Sequence, residues 1–206
     1  MIKIMPAAEV ERSTAHLQPT LTAPSPWIMR WTDLVPHGGQ VLDVACGTGR
    51  HLNWLTQHPR LLSITGVDLN IAGALKVAPN ASLLQADIEN GPWPLVLEDG
   101  EPQQFDAVIV TNYLWRPLMP TLLRSLRPGG VLLYETFAIG HETVGRPSRA
   151  DFLLRPGELL ELCASLQIVA YENGFLRSPE RFVQRIAAVR TPPGSGIGGA
   201  PERYPL

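Results

Sequence analysis

Five apolar runs alternate along the first two thirds of this chain with segments that have a helical pattern. The runs occupy residues 40–45, 61–67, 81–86, 105–111 and 131–137, and the helical segments occupy 50–57, 70–77 and 117–126. The fourth run, FDAVIVT, is continuously apolar and rich in β-branched residues, which is typical of a strand covered on both faces. Such strands alternating with helices predict a parallel sheet with helices packed on each side.

The order of elements changes after residue 155. One more helical segment, 156–165, is followed by two strand-like runs, 167–176 and 181–190, with Ser178 and Pro179 between them. Two consecutive strands joined by a short turn predict an antiparallel hairpin. The expected fold class is therefore α/β, a Rossmann-like, doubly wound sheet of seven strands that is mostly parallel and ends in an antiparallel hairpin.

Length and composition fit one globular domain. The chain has 206 residues, of which 45% are hydrophobic and 17% charged. We expect an N-terminal arm over 1–26, one domain over 27–190 and a flexible Gly/Pro-rich tail over 191–206. The net charge of −2 gives no support to binding that depends mainly on phosphate contacts. Two cysteines, no long apolar run and no signal-peptide pattern predict a cytoplasmic protein without a membrane span.

The stretch DVACGTGRH, residues 43–51, follows the first predicted strand and opens the first predicted helix. This order places backbone N–H groups and a helix N-terminus at the carboxyl edge of the sheet, where glycines let a ligand approach the main chain. A Walker phosphate loop is excluded because no lysine follows Gly49. A dinucleotide loop would need a third glycine where Leu52 stands, and this difference counts against that interpretation.

Two carboxylates follow the next two predicted strands, Asp68 after the second and Asp87 after the third. A carboxylate at the first of these places can accept both hydroxyls of a ribose, and one at the second can accept from an adenine amino group. Helix capping is the plainer role for either residue, but their paired position favours a nucleotide-like ligand. Asp106 opens the fourth strand at the opposite edge of the sheet, so we expect it to be structural.

Taken in order, VLDVACGTGRH, GVDLN, QADIE, FDAVIV and LRPGGVLLYETF resemble the successive motifs of class I S-adenosylmethionine (SAM)-dependent methyltransferases. The resemblance covers about residues 27–190, and the layout is similar to the small-molecule and tellurite-resistance-type members. It implies transfer of a methyl group from SAM to a small-molecule acceptor, with S-adenosylhomocysteine (SAH) as the product. It implies neither a nucleic-acid nor a membrane partner.

The resemblance also implies a cofactor site. The glycine loop would face the methionine part of SAM, Asp43 would fix the loop or reach the ligand's ammonium through water, and Asp68 would bind the ribose. Leu69 would pack against one side of the adenine, and Asp87 and Ile88 would contact the adenine from the other side. The full set is Asp43, Ala45, Cys46, Gly47, Gly49, Asp68, Leu69, Asp87, Ile88 and Asn112. Ala45 stands where many members have glycine, which implies a slightly less close approach there.

The acceptor is expected next to the fourth and fifth strands, beside 112–116 and the long polar loop 138–155. Asn112 and Tyr113 lack the two prolines that amino-methylating nucleic-acid enzymes of this superfamily carry at this point, so that chemistry is not implied. If the acceptor must lose a proton, Tyr113 and His141 are the candidate catalytic residues. The five histidines show no metal-ligand spacing, and no metal is expected.

Two alternatives to a methyltransferase stay open on the sequence. An NAD-dependent oxidoreductase shares the glycine loop and Asp68, although Leu52, Asp87 and the terminal hairpin count against it. A non-catalytic SAM-binding or scaffold subunit of a methyltransferase complex would retain the same motifs. The sequence does not identify the acceptor, the methylated atom or the oligomeric state.

Overall fold

The computed structural model describes residues 23–192 and 203–205. Among these residues lies one seven-stranded sheet made of β1 (Gln40–Val44), β2 (Ser63–Asp68), β3 (Ser82–Gln85), β4 (Phe105–Thr111), β5 (Leu126–Phe137), β6 (Gln167–Arg177) and β7 (Glu180–Val189). The order across the sheet is β3-β2-β1-β4-β5-β7-β6. Strands β1 to β5 are parallel, and β7 is antiparallel to both β5 and β6. The predicted sheet with its terminal hairpin is confirmed.

The helices are shorter than the sequence pattern predicts. They are α1 (Pro26–Trp31), α2 (Arg50–Leu55), α3 (Ala72–Val77), α4 (Met119–Arg124) and α5 (Glu158–Leu162), with 3-10 turns at Thr32–Leu34, Arg116–Leu118, His141–Thr143 and Ala150–Phe152. The helix predicted over 117–126 is divided into a 3-10 turn and α4. Pro120 explains the division, because a helix continuing through it would lack one N–H and clash with a carbonyl. Pro120 is tolerated in the first turn of α4, because the backbone N–H groups of a first turn have no hydrogen-bond partner within the helix.

Strand β5 begins at Leu126, before the predicted turn over 127–130. The turn is an irregularity inside the strand, because the register against β4 shifts between the pair Leu126–Phe105 and the pair Val131–Ala107. Gly129 has a φ of +81°, in the left-handed region, and supplies the bend. The strand beyond the bend then runs to the carboxyl edge as predicted.

The strands contribute alternate side chains to two buried layers, one on each face of the sheet. Leu42 and Val108 belong to the layer that α4 and α5 cover, and Val41 and Ile109 belong to the layer that α1 and α2 cover. All four side chains are fully buried. Because the central strands are covered on both sides, only the ends of the sheet are free to form a site.

Trp27 and Trp31 of α1 pack in the second of these layers, with their ring centroids 5.7 Å apart in an edge-to-face arrangement. The indole N–H of Trp27 donates to the carbonyl of Ile186 in β7, at 3.2 Å. Ser25 caps α1, since its hydroxyl accepts from the N–H of Trp27. The two tryptophans therefore fix α1 against the sheet.

The ends of the chain lie largely outside this description. Of the predicted arm and tail, residues 1–22, 193–202 and 206 are outside the described residues. In the part of the chain that the structure describes, none of the helices has the length and apolar character needed to cross a membrane. The division into arm, domain and tail stays a prediction.

Candidate active site

The loop between β1 and α2 crosses the carboxyl edge of the sheet in a left-handed conformation. Ala45, Gly47 and Gly49 have φ values of +53°, +56° and +85°. At Gly49 space is limiting as well, because a Cβ there would lie 2.9 Å from the Cα of Ala74 in α3. For Ala45 the cost is backbone strain, of about 1–2 kcal/mol for a residue with a Cβ. The sequence analysis predicted a looser approach at Ala45 and did not predict this strain.

Asp68, the last residue of β2, holds the loop in place. Its Oδ2 accepts from the N–H of Gly47 at 2.8 Å, and its Oδ1 accepts from the N–H of Asn70 at 2.9 Å. Each carboxylate oxygen has a second lone pair, so both hydrogen bonds leave acceptor capacity for a ligand. The Asp68 side chain therefore connects the end of β2 to the glycine loop.

The first cavity at this edge has a volume of about 300 Å³. It is lined by Ala45, Asp68, Leu69, Ala86, Asp87, Ile88, Glu89, Asn90 and Tyr113. Five of the ten predicted cofactor residues meet here, together with Tyr113. Leu69 is 65% exposed and leaves an apolar surface for a flat ring to cover.

Asp87 closes the turn that follows β3. Its Oδ1 accepts from the N–H groups of Glu89 and Asn90, both at 3.0 Å, and its Oδ2 accepts from the side-chain amide of Asn90. These hydrogen bonds, above all those from Asn90, lower the pKa of Asp87 below its usual value. The carboxylate therefore stays ionised at the rim of the first cavity.

The second cavity, of about 360 Å³, lies on the other side of Ala45. Its lining residues are Ala45, Cys46, Gly47, Thr48, Arg50, His51, Thr111 and Asn112. Four of them belong to the predicted cofactor set. Burial raises the pKa of the Cys46 thiol to about 12, so the side chain is an uncharged packing group at neutral pH.

Asp43 lies beneath the loop as an isolated buried acid. It is 1% exposed, and neither carboxylate oxygen has a hydrogen-bond partner among the described residues. Burial raises its pKa to about 8, although the positive charge of Arg50 acts in the opposite direction. A buried acid without a partner is expected to bind a proton, or to ionise when a cation comes near.

His51 connects Asp43 to the start of α1. Its Nε2 accepts from the N–H of Ser25 at 3.1 Å, which leaves the ring proton on Nδ1. Nδ1 is 3.5 Å from the hydroxyl of Thr111 and 3.9 Å from Oδ2 of Asp43. Burial, reinforced by Arg50, lowers the pKa of His51 to about 3, so the ring is neutral.

Arg50 is the positive group of the second cavity, and the sequence analysis did not single it out. Its guanidinium donates to Thr111 at 3.3 Å, and burial lowers its pKa. Arg50 is the first residue of α2, directly after the glycine loop. That position was the available signal, since a helix N-terminus at this edge faces the ligand.

The third cavity, of about 280 Å³, was not predicted as a unit. It is lined by Glu89, Asn112, Tyr113, Leu114, Thr136, Phe137, Pro147 and Phe152. It shares Asn112 with the second cavity, and Glu89 and Tyr113 with the first. The hydroxyl of Tyr113 is buried, and burial together with the neighbouring Glu89 carboxylate raises the pKa of this phenol well above its usual range.

His141, the other predicted catalytic residue, lies behind this cavity. Its ring stacks on Phe137 with centroids 4.3 Å apart, its Nε2 is 3.0 Å from the carbonyl of Arg146, and the residue is 4% exposed. The ring is not among the residues that line the third cavity. The catalytic role of His141 stays a prediction that this placement does not support, because a base must reach the proton that it removes.

Glu135, near the end of β5, is engaged in a buried charge cluster. Its two carboxylate oxygens each lie 3.3 Å from a guanidinium nitrogen, of Arg181 and of Arg185, and Oε1 also accepts from the hydroxyl of Ser25. The residue is fully buried. It therefore joins the end of β5 to β7 and to the start of α1.

Comparison with known proteins places the site in context. Residues 41–130 match the family described as a methyltransferase domain. A phthiotriol/phenolphthiotriol dimycocerosates methyltransferase of Mycobacterium ulcerans (strain Agy99) is 33% identical over 116 residues, 51% of this chain and 40% of that protein. A tRNA U34 carboxymethyltransferase of Idiomarina loihiensis is 29% identical over 143 residues, 63% of this chain and 42% of that protein. The chain spans about two fifths of the length of these relatives.

Solved structures share the fold. The TehB-like SAM-dependent methyltransferase from Corynebacterium glutamicum has a TM-score of 0.57 at 18% identity and covers 80% of this chain and 88% of that chain. The N-methyltransferase NodS from Bradyrhizobium japonicum has a TM-score of 0.59 at 16% identity, with 79% and 93% covered. The plantazolicin methyltransferase BpumL, solved with SAH, has a TM-score of 0.54 at 15% identity, with 74% and 76% covered. These likenesses agree with the predicted sheet.

Proposed function

We propose that the chain carries a class I SAM-dependent methyltransferase domain, which binds SAM at the carboxyl edge of the sheet and transfers the methyl group to a small-molecule acceptor. The observation that carries this proposal is the way the three cavities meet. Ala45 borders the first and second cavities, Asn112 the second and third, and Tyr113 the first and third. A ligand that fills the first two would have its middle beside the third.

The residues fit the two ends of SAM. In the first cavity Leu69 and Ile88 offer apolar surface to the adenine, Asp87 an acceptor for its amino group, and Asp68 an acceptor for the ribose hydroxyls. In the second cavity Arg50 offers a cation to the ligand's carboxylate. The ionisable Asp43 below the loop suits the ligand's ammonium, reached directly or through water.

Methyl transfer asks little covalent chemistry of the protein. SAM supplies a sulfonium whose methyl group is already electrophilic, so the chain mainly orients the partners and keeps water out. Asn112 and Tyr113 lie where the cavities meet and would align the acceptor. Because its pKa is raised, Tyr113 acts as a hydroxyl donor and not as the base, and His141 supports the ring of Phe137.

The third cavity favours a small acceptor. Its volume of about 280 Å³ is near the lower end of the range for small-molecule sites, about 300–1,000 Å³. Asp68, Asp87 and Glu89 line the adjoining first cavity, an arrangement that disfavours a polyanion such as RNA.

Calorimetric titration of the purified protein with SAM, SAH and NAD tests this proposal. We expect SAM and SAH to bind and NAD to give no heat. Asp68→Ala should weaken SAM binding by about tenfold or more, since it removes a charge-assisted acceptor. Asp99→Ala is the matched control, because Asp99 also accepts a turn N–H but lies away from the three cavities.

Three results would contradict the proposal or part of it. Binding of NAD without SAM would support an oxidoreductase. Unchanged SAM affinity in Asp68→Ala would remove that residue from the site. Binding of SAM with no SAH release, across acceptors of different chemistry, would support a non-catalytic subunit.

A further inference from the structure

The third cavity has aromatic walls and one acidic residue. Phe137, Phe152 and Tyr113 contribute the rings, and Glu89 contributes the carboxylate. The ring of Phe137 is held by the stacked ring of His141, so this wall is rigid. Aromatic rings around a cavity, with a carboxylate at its border, are the surroundings that stabilise an organic cation.

Charge at this place is negative. Burial first, and then the neighbouring Glu89 carboxylate, raises the pKa of the Tyr113 phenol well above its usual range. Glu89 forms no ion pair within the described part of the chain. No cation in this part of the chain therefore balances the charge of Glu89, which acts on the hydroxyl of Tyr113.

Two arginines near the cavity walls in sequence are paired with carboxylates, whereas Arg146, next to the wall residue Pro147, forms no ion pair within the described residues. Arg116 donates to both carboxylate oxygens of Glu158, at 2.6 and 3.0 Å, and Arg149 lies 2.7 Å from a carboxylate oxygen of Asp151. Arg149 also lies over the ring of Phe152, with its Cζ 5.2 Å from the ring centroid, so a ligand cation would have to use the other face of that ring. Neither guanidinium pairs with Glu89. A carboxylate or phosphate acceptor would meet repulsion here, and a neutral alcohol would gain nothing from the charge.

We propose that the acceptor is an amine, bound in the third cavity as its ammonium ion between the aromatic side chains and Glu89. This inference rests on the proposed function, because the cavity is useful for methyl transfer only if SAM occupies the other two. It goes further by naming the nucleophilic atom as nitrogen and Glu89 as the group that recognises it.

In the methyl transfer to this amine, Glu89 accepts the proton that the ammonium ion must lose. The ammonium ion gives one proton to the Glu89 carboxylate, which frees the nitrogen lone pair. A bond then forms between nitrogen and the methyl carbon while the bond from that carbon to sulfur breaks. The electron pair of the broken bond remains on sulfur, giving neutral SAH and a methylated ammonium ion, and Glu89 releases its proton to water at the cavity rim.

Binding to the SAH-saturated protein tests this inference without requiring the natural acceptor. The probes are benzylamine, benzyl alcohol and benzoate, which share one ring and differ in the charged or polar group. We expect benzylamine to bind about tenfold or more tightly than benzyl alcohol, and benzoate to bind most weakly. Glu89→Gln should abolish the preference for the amine, whereas Glu98→Gln, a matched change at an exposed acid away from the cavity, should keep it.

The outcomes separate this inference from the proposed function. SAH is titrated first, so a protein that binds no SAH contradicts the proposed function itself. The amine assignment is wrong if SAH binds but benzylamine binds no more tightly than benzyl alcohol, or more weakly than benzoate. It is also wrong if benzylamine does not bind at all at about 10 mM, which is about the weakest affinity that a specific small site would give. A preference that persists in Glu89→Gln would remove Glu89 from the assignment.

Discussion

Asp43 makes a strong prediction because its charge state should differ between the folded and unfolded chain. In the unfolded chain its pKa is near the ordinary value of 3.8, whereas burial in the fold raises the pKa to about 8. Between these values the unfolded chain releases the proton and the folded chain keeps it. Asp43 therefore opposes folding increasingly as pH rises through this window, and has no such effect below pH 3.8.

The size of the effect follows from the width of the window. One pH unit is worth about 1.4 kcal/mol for one proton, so about 3 kcal/mol of the free energy of unfolding should be lost between about pH 5 and 7.5 through Asp43. Asp43→Asn keeps the shape of the side chain and cannot ionise. Relative to this variant, the wild type should lose about 3 kcal/mol over the same interval.

Urea unfolding of both proteins at several pH values measures the difference. All other titrating groups are common to the two proteins, so they cancel in the comparison. Curves of unfolding free energy that run parallel from pH 5 to 7.5 would refute the reasoning, since they would mean that Asp43 is ionised in the fold. Titration with SAM at pH 7 gives a second measurement, because a cation that reaches Asp43 should release about one proton in the wild type and none in Asp43→Asn.

Two further substitutions test the local physics of the site. Ala45→Gly should raise the free energy of unfolding by about 1 kcal/mol, because it relieves the strain of a φ of +53°. Ala74→Gly, within helix α3, is the control and should lower the free energy of unfolding. Urea unfolding that shows Ala45→Gly to be no more stable than the wild type would contradict this prediction. Glu135→Gln should lower the free energy of unfolding by about 3 kcal/mol, because it leaves the largely buried guanidinium group of Arg181 without a counter-charge, whereas Arg185 keeps its ion pair with Glu172. A loss below about 1 kcal/mol would mean that water or other groups compensate.

The sequence pattern predicted the order of the strands along the chain and their parallel or antiparallel direction, because apolar runs and turn residues are local signals. It overestimated helix length, since residues such as Pro120 interrupt a helix that periodicity alone would continue. The first two cavities follow from residues next to strand ends, and strand ends meet at one edge of a parallel sheet. The third cavity draws Glu89, Tyr113, Phe137 and Phe152 from separate segments, and no local pattern indicates that they meet.

Ser25 shows why the family motifs alone do not build this site. Its N–H donates to His51 at the start of α2, its hydroxyl donates to Glu135 at the end of β5, and the same oxygen caps α1 by accepting from Trp27. Residues 41–130, which match the methyltransferase domain family, contain only one of these three partners. The position of His51, and with it the surroundings of Asp43, therefore depends on a segment before the first strand and on a strand beyond the matched region. Because the donor to His51 is a backbone N–H, chains that have the same glycine loop but lack this segment, and not merely this side chain, should differ in the protonation of the buried acid.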